Sequence, residues 1–247
     1  MRCKLVGLLV AVAFTGSCSH SGDLMPQKTL EQLVDLDEPG MELVREWIQG
    51  AKNRVTLLDV DPAAGRRTLL ALQVTSRSPM GAIALETGGI LIDDGWVRVL
   101  GSGNDRLPRS LDAWNRLNEA PHRLPGALLV GDDALGGFFA WNGDGIPGPT
   151  GHVFYFAPDT LRWEDVAASY SEWLLFLLRG DLEGFYGDNR WRGWQAEIQK
   201  VPGDRAFSLY PFPFAKGPAL GERSRRLVPI EELWGLYVVD FPKQIGK

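Results

Sequence analysis

The sequence predicts a single α+β domain with a central, mostly antiparallel twisted sheet flanked by helices. Three observations carry that expectation. Short apolar runs follow one another through the middle of the chain at hairpin-length spacing, where a doubly wound parallel sheet needs helical crossovers. Helical stripes lie before and after those runs. From residue 29 onward no charge block, repeat or change of composition marks a boundary.

The N-terminus is read apart from the domain. Arg2 and Lys4 precede a ten-residue apolar run at 5–14. A spanning helix needs about 20 such residues, so the run reads as the core of an export signal. Thr15, Gly16 and Ser17 lead to Cys18. Small residues before a cysteine resemble a bacterial lipobox, with Thr15 where that pattern usually has Leu. The resemblance implies a lipoprotein signal peptide at 1–17, a lipidated cysteine and flexible tether at 18–28, and one α+β domain of unknown function at 29–247. It implies attachment to the bacterial membrane through fatty acyl groups such as palmitate on Cys18, at the cell membrane or outer membrane after export across the inner membrane. Each buried methylene adds about 0.8 kcal/mol of anchoring.

Along the domain, Thr29 and Gln32 fit a capping box that starts a short helix through Leu30, Leu33 and Val34. Asp37 to Pro39 open a second helix with Met41, Val44, Trp47 and Ile48 on one face. Residues 55–60 form a strand. Asp61 and Pro62 stand at N-cap and N1 of a helix to about Leu72. Residues 81–86, 89–92 and 96–100 are expected as strands, the last two joined by the hairpin signal Asp93-Asp94-Gly95. Ser110 caps a short helix through Leu111, Trp114 and Leu117. Strands at 127–130, 136–141 and 152–156 surround a Gly/Pro loop, and Pro158-Asp159 is a turn. The segment 169–178 is apolar nearly all round, hence a buried helix. Residues 181–186 and 191–198 are shorter helices, 207–212 a strand, 229–233 a helical turn and 235–241 a last strand.

Net charge is −5, and removing 1–17 takes away Arg2 and Lys4 to leave −7, which argues against nucleic acid as a partner. Cys3 and Cys18 are the only cysteines, so the folded body holds no disulfide framework, cysteine zinc site or cysteine nucleophile. His20, His122 and His152 lack metal-ligand spacing, and His152 reads as a strand-end packing residue. Gly143, Gly145 and Gly148 match G-x-G-x-x-G, but Pro147 and Pro149 interrupt and a strand follows, so this is a structural loop. Asn142 and Asp144 do not make a calcium loop, because Ile146 takes the next ligand position. No G-x-S-x-G elbow occurs. No catalytic residue, metal or cofactor is expected.

The acid pairs Asp93-Asp94 and Asp132-Asp133 read as turn residues and caps, since neighbours on a strand face opposite ways. Most of the nine tryptophans belong to the core, with one or two on a binding face. Arg223, Arg225 and Arg226 read as a solvated loop. The candidate binding surface is Trp141, Asn142, Asp144, Asp159 and Trp163, which border the Gly/Pro loop and the turn after the next strand.

The stretches KTLEQLVD, ALQVTSRSPMGAIALETGGILIDDGWVRVLGSG, LGGFFAWNGDG, VFYFAPDTLRWEDV, SYSEWLLFLLRGDLEGFY and RSRRLVPIEELWGL resemble the bacterial domain of unknown function 2625 family from about residue 28 to 240. That family implies no activity. Beneath it, residues 135–178 are similar to the SUKH superfamily of α+β proteins. Many of those are immunity proteins that neutralise toxins of competing bacteria. This second resemblance implies a toxin-like protein partner and no catalytic residues, though a shared fold does not establish function.

The function expected is therefore a membrane-anchored, non-enzymatic binding protein, toxin-immunity-like or serving envelope stress. The alternative is an envelope hydrolase acting on glycan or peptide through paired carboxylates beside exposed tryptophan. Lipidation has a direct check. The protein should incorporate labelled palmitate and fractionate with membranes, and Cys18→Ala should abolish both; an unlabelled wild-type chain would sink the lipoprotein reading.

Overall fold

Ser169, Ser110, Ser78 and Asp61 each cap a helix in the computed structural model, which describes residues 27–244. The signal at 1–17, Cys18 and the tether up to residue 26 lie outside the described residues. The first helix, α1 (Leu30–Leu33), starts where Gln32 Oε1 accepts the Thr29 amide at 2.9 Å. Helix α2 (Gly40–Gln49) buries Met41 and Val44, as its stripe requires. Strand β1 (Val55–Leu58) leads to α3 (Pro62–Leu72), whose cap Asp61 accepts the Ala63 amide at 2.9 Å.

Residues 81–86 depart from expectation. They complete a helix, α4 (Pro79–Glu86), not a strand. Ser78 accepts the Gly81 amide at 3.1 Å and Pro79 stands at the first helical position. A helix buried from Met80 to Ala84 shows no helical stripe, so its apolar run mimics a strand.

Six more strands follow: β2 (Gly89–Ile92), β3 (Val97–Leu100), β4 (Ala127–Asp133), β5 (Phe138–Asn142), β6 (Val153–Ala157) and β7 (Arg162–Ala167). With β1 they form one seven-stranded sheet in sequence order, each neighbour antiparallel, so the domain is α+β. The β2–β3 hairpin turns through Asp93, Asp94 and Gly95, all with positive φ. Before β4, helix α5 (Leu111–Asn115) presents Asn115, which donates to the Leu129 carbonyl and accepts the Leu129 amide at 2.8 and 2.7 Å, beside a bulge at Leu129/Gly131. Strand β7 carried no sequence signal. It is an edge strand, mostly wet, with Trp163 and Val166 as its large apolar residues.

Helices α6 (Tyr170–Arg179), α7 (Leu182–Tyr186) and α8 (Trp194–Ile198) come next. Strands β8 (Arg205–Tyr210) and β9 (Ser224–Pro229) then form a separate antiparallel pair, followed by α9 (Ile230–Leu233), a π-helical stretch Trp234–Asp240 and α10 (Phe241–Gln244). The last strand expected at 235–241 is thus helical. Nor do the three arginines form a solvated loop. Arg223 is buried and donates to the carbonyls of Pro218, Pro211 and Ala215, while Arg225 pairs with Glu197 at 2.7 Å and lies over Trp191. Only Arg226, paired with Glu232, is solvated.

Cross-strand partners share a face. Phe138, Phe156 and Trp163 lie on one, against Trp234; Phe139, Tyr155 and Trp141 lie on the other, with the ring of Trp173 of α6 tilted 48° to that of Phe139 at 5.3 Å. Strand β4 runs three residues past its expected end and carries Asp132 and Asp133 into the core; Asp132 is neither a turn residue nor a cap, whereas Asp133, the last residue of β4, caps the turn after it from a buried position. As alternation requires, they part. Asp132 contacts Arg98 Nε and Arg109 Nη1, each at 2.7 Å, and all three side chains are at most 7% exposed. Arg98 also donates to the carbonyls of Arg205 and Asp133 at 2.5 Å, and Arg109 to the Gly203 carbonyl at 2.7 Å. Asp133 accepts from the Tyr155 hydroxyl at 2.6 Å and from the amides of Leu135 and Gly137. Burial pushes the Asp133 carboxyl above the ordinary range against those donors.

Removing one member of a buried ion group strands the others, so Asp132→Ala should cost about 3–5 kcal/mol in urea unfolding. Glu232→Ala, at an exposed pair, should cost under about 1 kcal/mol. Equal losses would contradict the bracket's role. For Asp133 the sign follows from its raised pKa: the folded chain holds a proton that the unfolded chain has released. Relative to Asp133→Asn, wild-type stability should fall as pH rises from about 4 through the folded pKa, then level off. Parallel stability–pH curves for the two would refute this.

Candidate functional site

The five residues expected at a binding surface do not converge. Trp141, Asn142 and Asp144 sit where β5 enters the Gly/Pro loop, whereas Asp159 and Trp163 sit at the other end of the sheet. Trp141 and Trp163 also occupy opposite faces. Asp144 and Asp159 are exposed and Trp163 is half-buried against Phe156. Asn142 is a correction: it is fully buried. Its Oδ1 accepts the amides of Asp144 and Ile146 at 3.0 Å, and its Nδ2 donates to the carbonyls of Ile146 and Pro149 at 2.9 and 3.2 Å. It organises the loop from inside and presents nothing to a partner.

The loop is also tied to the start of β4. The Gly126 carbonyl accepts the amides of Gly143 and Gly145 at 2.9 and 2.8 Å. Gly126 has φ +75°, and a Cβ there would lie 2.8 Å from Gly145 Cα, so glycine is required. This lashing sets Trp141, half-buried, on the wall of a cleft of about 760 Å³. The end of α3 supplies Ala71 and Leu72, and the start of α4 supplies Ser78, Pro79 and Met80. The start of α6 supplies Ser169, Tyr170 and Ser171, and β4 supplies Ala127 and Leu128. Leu117, exposed His122 and Gln27 complete the rim, and no Asp, Glu, Lys or Arg lines it. Two capped helix starts therefore border a chiefly apolar space whose one titratable side chain besides Tyr170 is His122. The entry of the chain is pinned beside it: Gln73, left-handed at the end of α3, accepts the Lys28 amide at 2.8 Å and donates to the Lys28 carbonyl at 3.2 Å.

Tyr170 stands out on this wall. It is 6% exposed, and its hydroxyl is buried with no hydrogen-bond partner. Burial pushes that hydroxyl far above the ordinary tyrosine range, so it stays a neutral donor. Sequence reading missed Tyr170 as it missed the cleft itself, whose walls come from separate segments; only Trp141, just before the loop, carried a signal.

The remaining candidate groups are committed elsewhere. Asp93 pairs with Arg190 and Asp94 with Arg54, at 2.8 and 2.6 Å. Arg190 lies against Trp96, Tyr186 and Trp194. Trp191 and Trp194 are buried, and Trp47, Trp141 and Trp163 are the half-buried tryptophans. His152 pairs with Asp165 at 2.8 Å between β6 and β7. Among the described residues, no group of three or more His, Cys, Asp or Glu is placed to hold a metal ion.

A seven-stranded meander packed by helices, with a chiefly apolar cleft and with Asp93, Asp94 and Asp132 engaged in ion pairs, defines an α+β protein with a candidate binding cleft. The chain belongs to the family described as protein of unknown function DUF2625, which matches residues 30–233. It is 39% identical over 207 residues to "Putative uncharacterized protein YbfG" of Escherichia coli K12, covering 84% of this chain and 94% of that protein. It is 36% identical over 208 residues to an "Uncharacterized protein" of Haemophilus influenzae, covering 83% and 91%. No solved structure matches the chain.

Proposed function

We propose that this is a lipid-anchored bacterial envelope protein whose folded body binds rather than catalyses, and that the cleft beside Trp141 is its binding site. The observation that carries the reading is the cleft itself: open, chiefly apolar and lined by no Asp, Glu, Lys or Arg. Concave apolar sites with a few polar groups are the usual seats of ligands. Among the described residues no helix is long and apolar enough to cross a membrane. Attachment would therefore rest on Cys18, nine residues before Gln27 on the cleft rim. A toxin-like protein is the partner that the SUKH resemblance implies, and the net charge of −7 after removal of 1–17 suits a basic one.

No observation favours the hydrolase alternative. Its paired carboxylates are held by Arg98, Arg109, Arg190, Arg54 and Tyr155, away from the cleft. The neutral fluorophore Nile red tests the site. The full chain carrying Cys18→Ala should bind it, and adding Ala71→Glu should weaken binding roughly tenfold, about 1.4 kcal/mol, with the unfolding midpoint unchanged. Equal binding by both chains would place the apolar site elsewhere and refute the assignment.

A further inference from the structure

We infer that residues 24–26 of this same chain, Leu24, Met25 and Pro26, occupy the cleft beside Trp141, so that a ligand enters by displacing them. This rests on the binding-site reading above and adds the regulation of that site. The three residues lie outside the described ones, and all three are apolar and uncharged.

Connectivity limits where these residues can go. Gln27, bonded directly to Pro26, is itself on the cleft rim. The residue after it is fixed, because Gln73 at the end of α3 accepts the Lys28 amide at 2.8 Å and donates to the Lys28 carbonyl at 3.2 Å. Three residues reach at most roughly 10 Å, which keeps Leu24 and Met25 beside the rim. The space next to them is about 760 Å³, with Leu72, Met80, Leu128 and half-buried Trp141 among its walls. Apolar side chains held beside such walls gain free energy by leaving water. No Asp, Glu, Lys or Arg lines the space, so an uncharged segment strips no such ion of its water on entering.

Two features favour this occupant over a free molecule. A segment joined to the rim acts at an effective concentration on the order of millimolar. Proline fixes its own φ and keeps the residue before it out of the helical region. Pro26 therefore leaves Met25 fewer conformations to lose on docking.

The test reads Nile red on the full chain carrying Cys18→Ala, taking only the binding that Ala71→Glu weakens. Adding Leu24→Ser and Met25→Ser together should tighten that binding about five- to tenfold. A peptide of residues 19–27 should compete with the dye on the doubly substituted chain, and the same peptide carrying both substitutions should not. If the double substitution leaves the Ala71→Glu-sensitive binding unchanged or weakens it, the self-occupied cleft is overturned while the binding site stands. If the gain disappears on diluting the protein, the segment docks into a second copy, and its place in its own chain is overturned. If Ala71→Glu affects dye binding in neither chain, both readings fall.

Discussion

Asp132 between Arg98 and Arg109 is the contact on which the arrangement of the two layers depends. Two strands of the main sheet supply Asp132 and Arg98, and the loop before α5 supplies Arg109. The two guanidiniums then reach the carbonyls of Gly203 and Arg205, so the segment entering β8 docks through its backbone. Desolvating three charges is expensive, and their attraction offsets that cost only when the remaining donors are also used. Here they are used. Apolar burial around Phe207, Leu209 and Ile230 drives the C-terminal layer onto the sheet but accepts many placements. The two arginines accept few, because the Arg205 carbonyl must face Arg98 while the Gly203 carbonyl faces Arg109. On the opposite face Asp133 gathers Tyr155 and two amides. The space is so tight that a Cβ on Gly137 would lie 2.2 Å from the Tyr155 hydroxyl oxygen.

Local chemistry was legible where the chain settles its own geometry. Asp61-Pro62 and Ser110 each announce a helix start because the side chain satisfies an amide two or three residues on. Asp93-Asp94-Gly95 announces a hairpin because those residues tolerate positive φ. What failed was decided by distant partners. Residues 81–86 are an apolar run of a helix buried from Met80 to Ala84, and 235–241 are an apolar run that packs through Tyr237 while Val239 and Asp240 stay exposed. Arg223 looks solvated in sequence because its acceptors are carbonyls of a loop up to twelve residues away. The charges of Asp132 and Asp133 argued for the surface, and only arginines from outside β4 make their burial possible.

The candidate site was less legible than the fold for the same reason. Trp141 was readable because it precedes a Gly/Pro loop, and loops on a rigid sheet tend to carry recognition. Asn142, its neighbour, was misassigned as surface because a loop-forming amide and a ligand-binding amide look alike in sequence; the difference is which way the last residue of β5 points. Tyr170 was invisible, since an unpartnered hydroxyl arises only once the start of α6 meets α4 and β4.

On the lipid-anchored reading, charge and position combine to single out one face. A body of net charge −7 is repelled by anionic headgroups, and that repulsion decays within about 8 Å at physiological ionic strength. Few surfaces of such a body can approach the bilayer closely without desolvating a carboxylate. The cleft wall can, because no Asp, Glu, Lys or Arg lines it. The Gln73–Lys28 hydrogen bonds fix residue 28 beside that wall. On that reading the acidic body would turn an apolar wall to the bilayer and keep its exposed carboxylates in water.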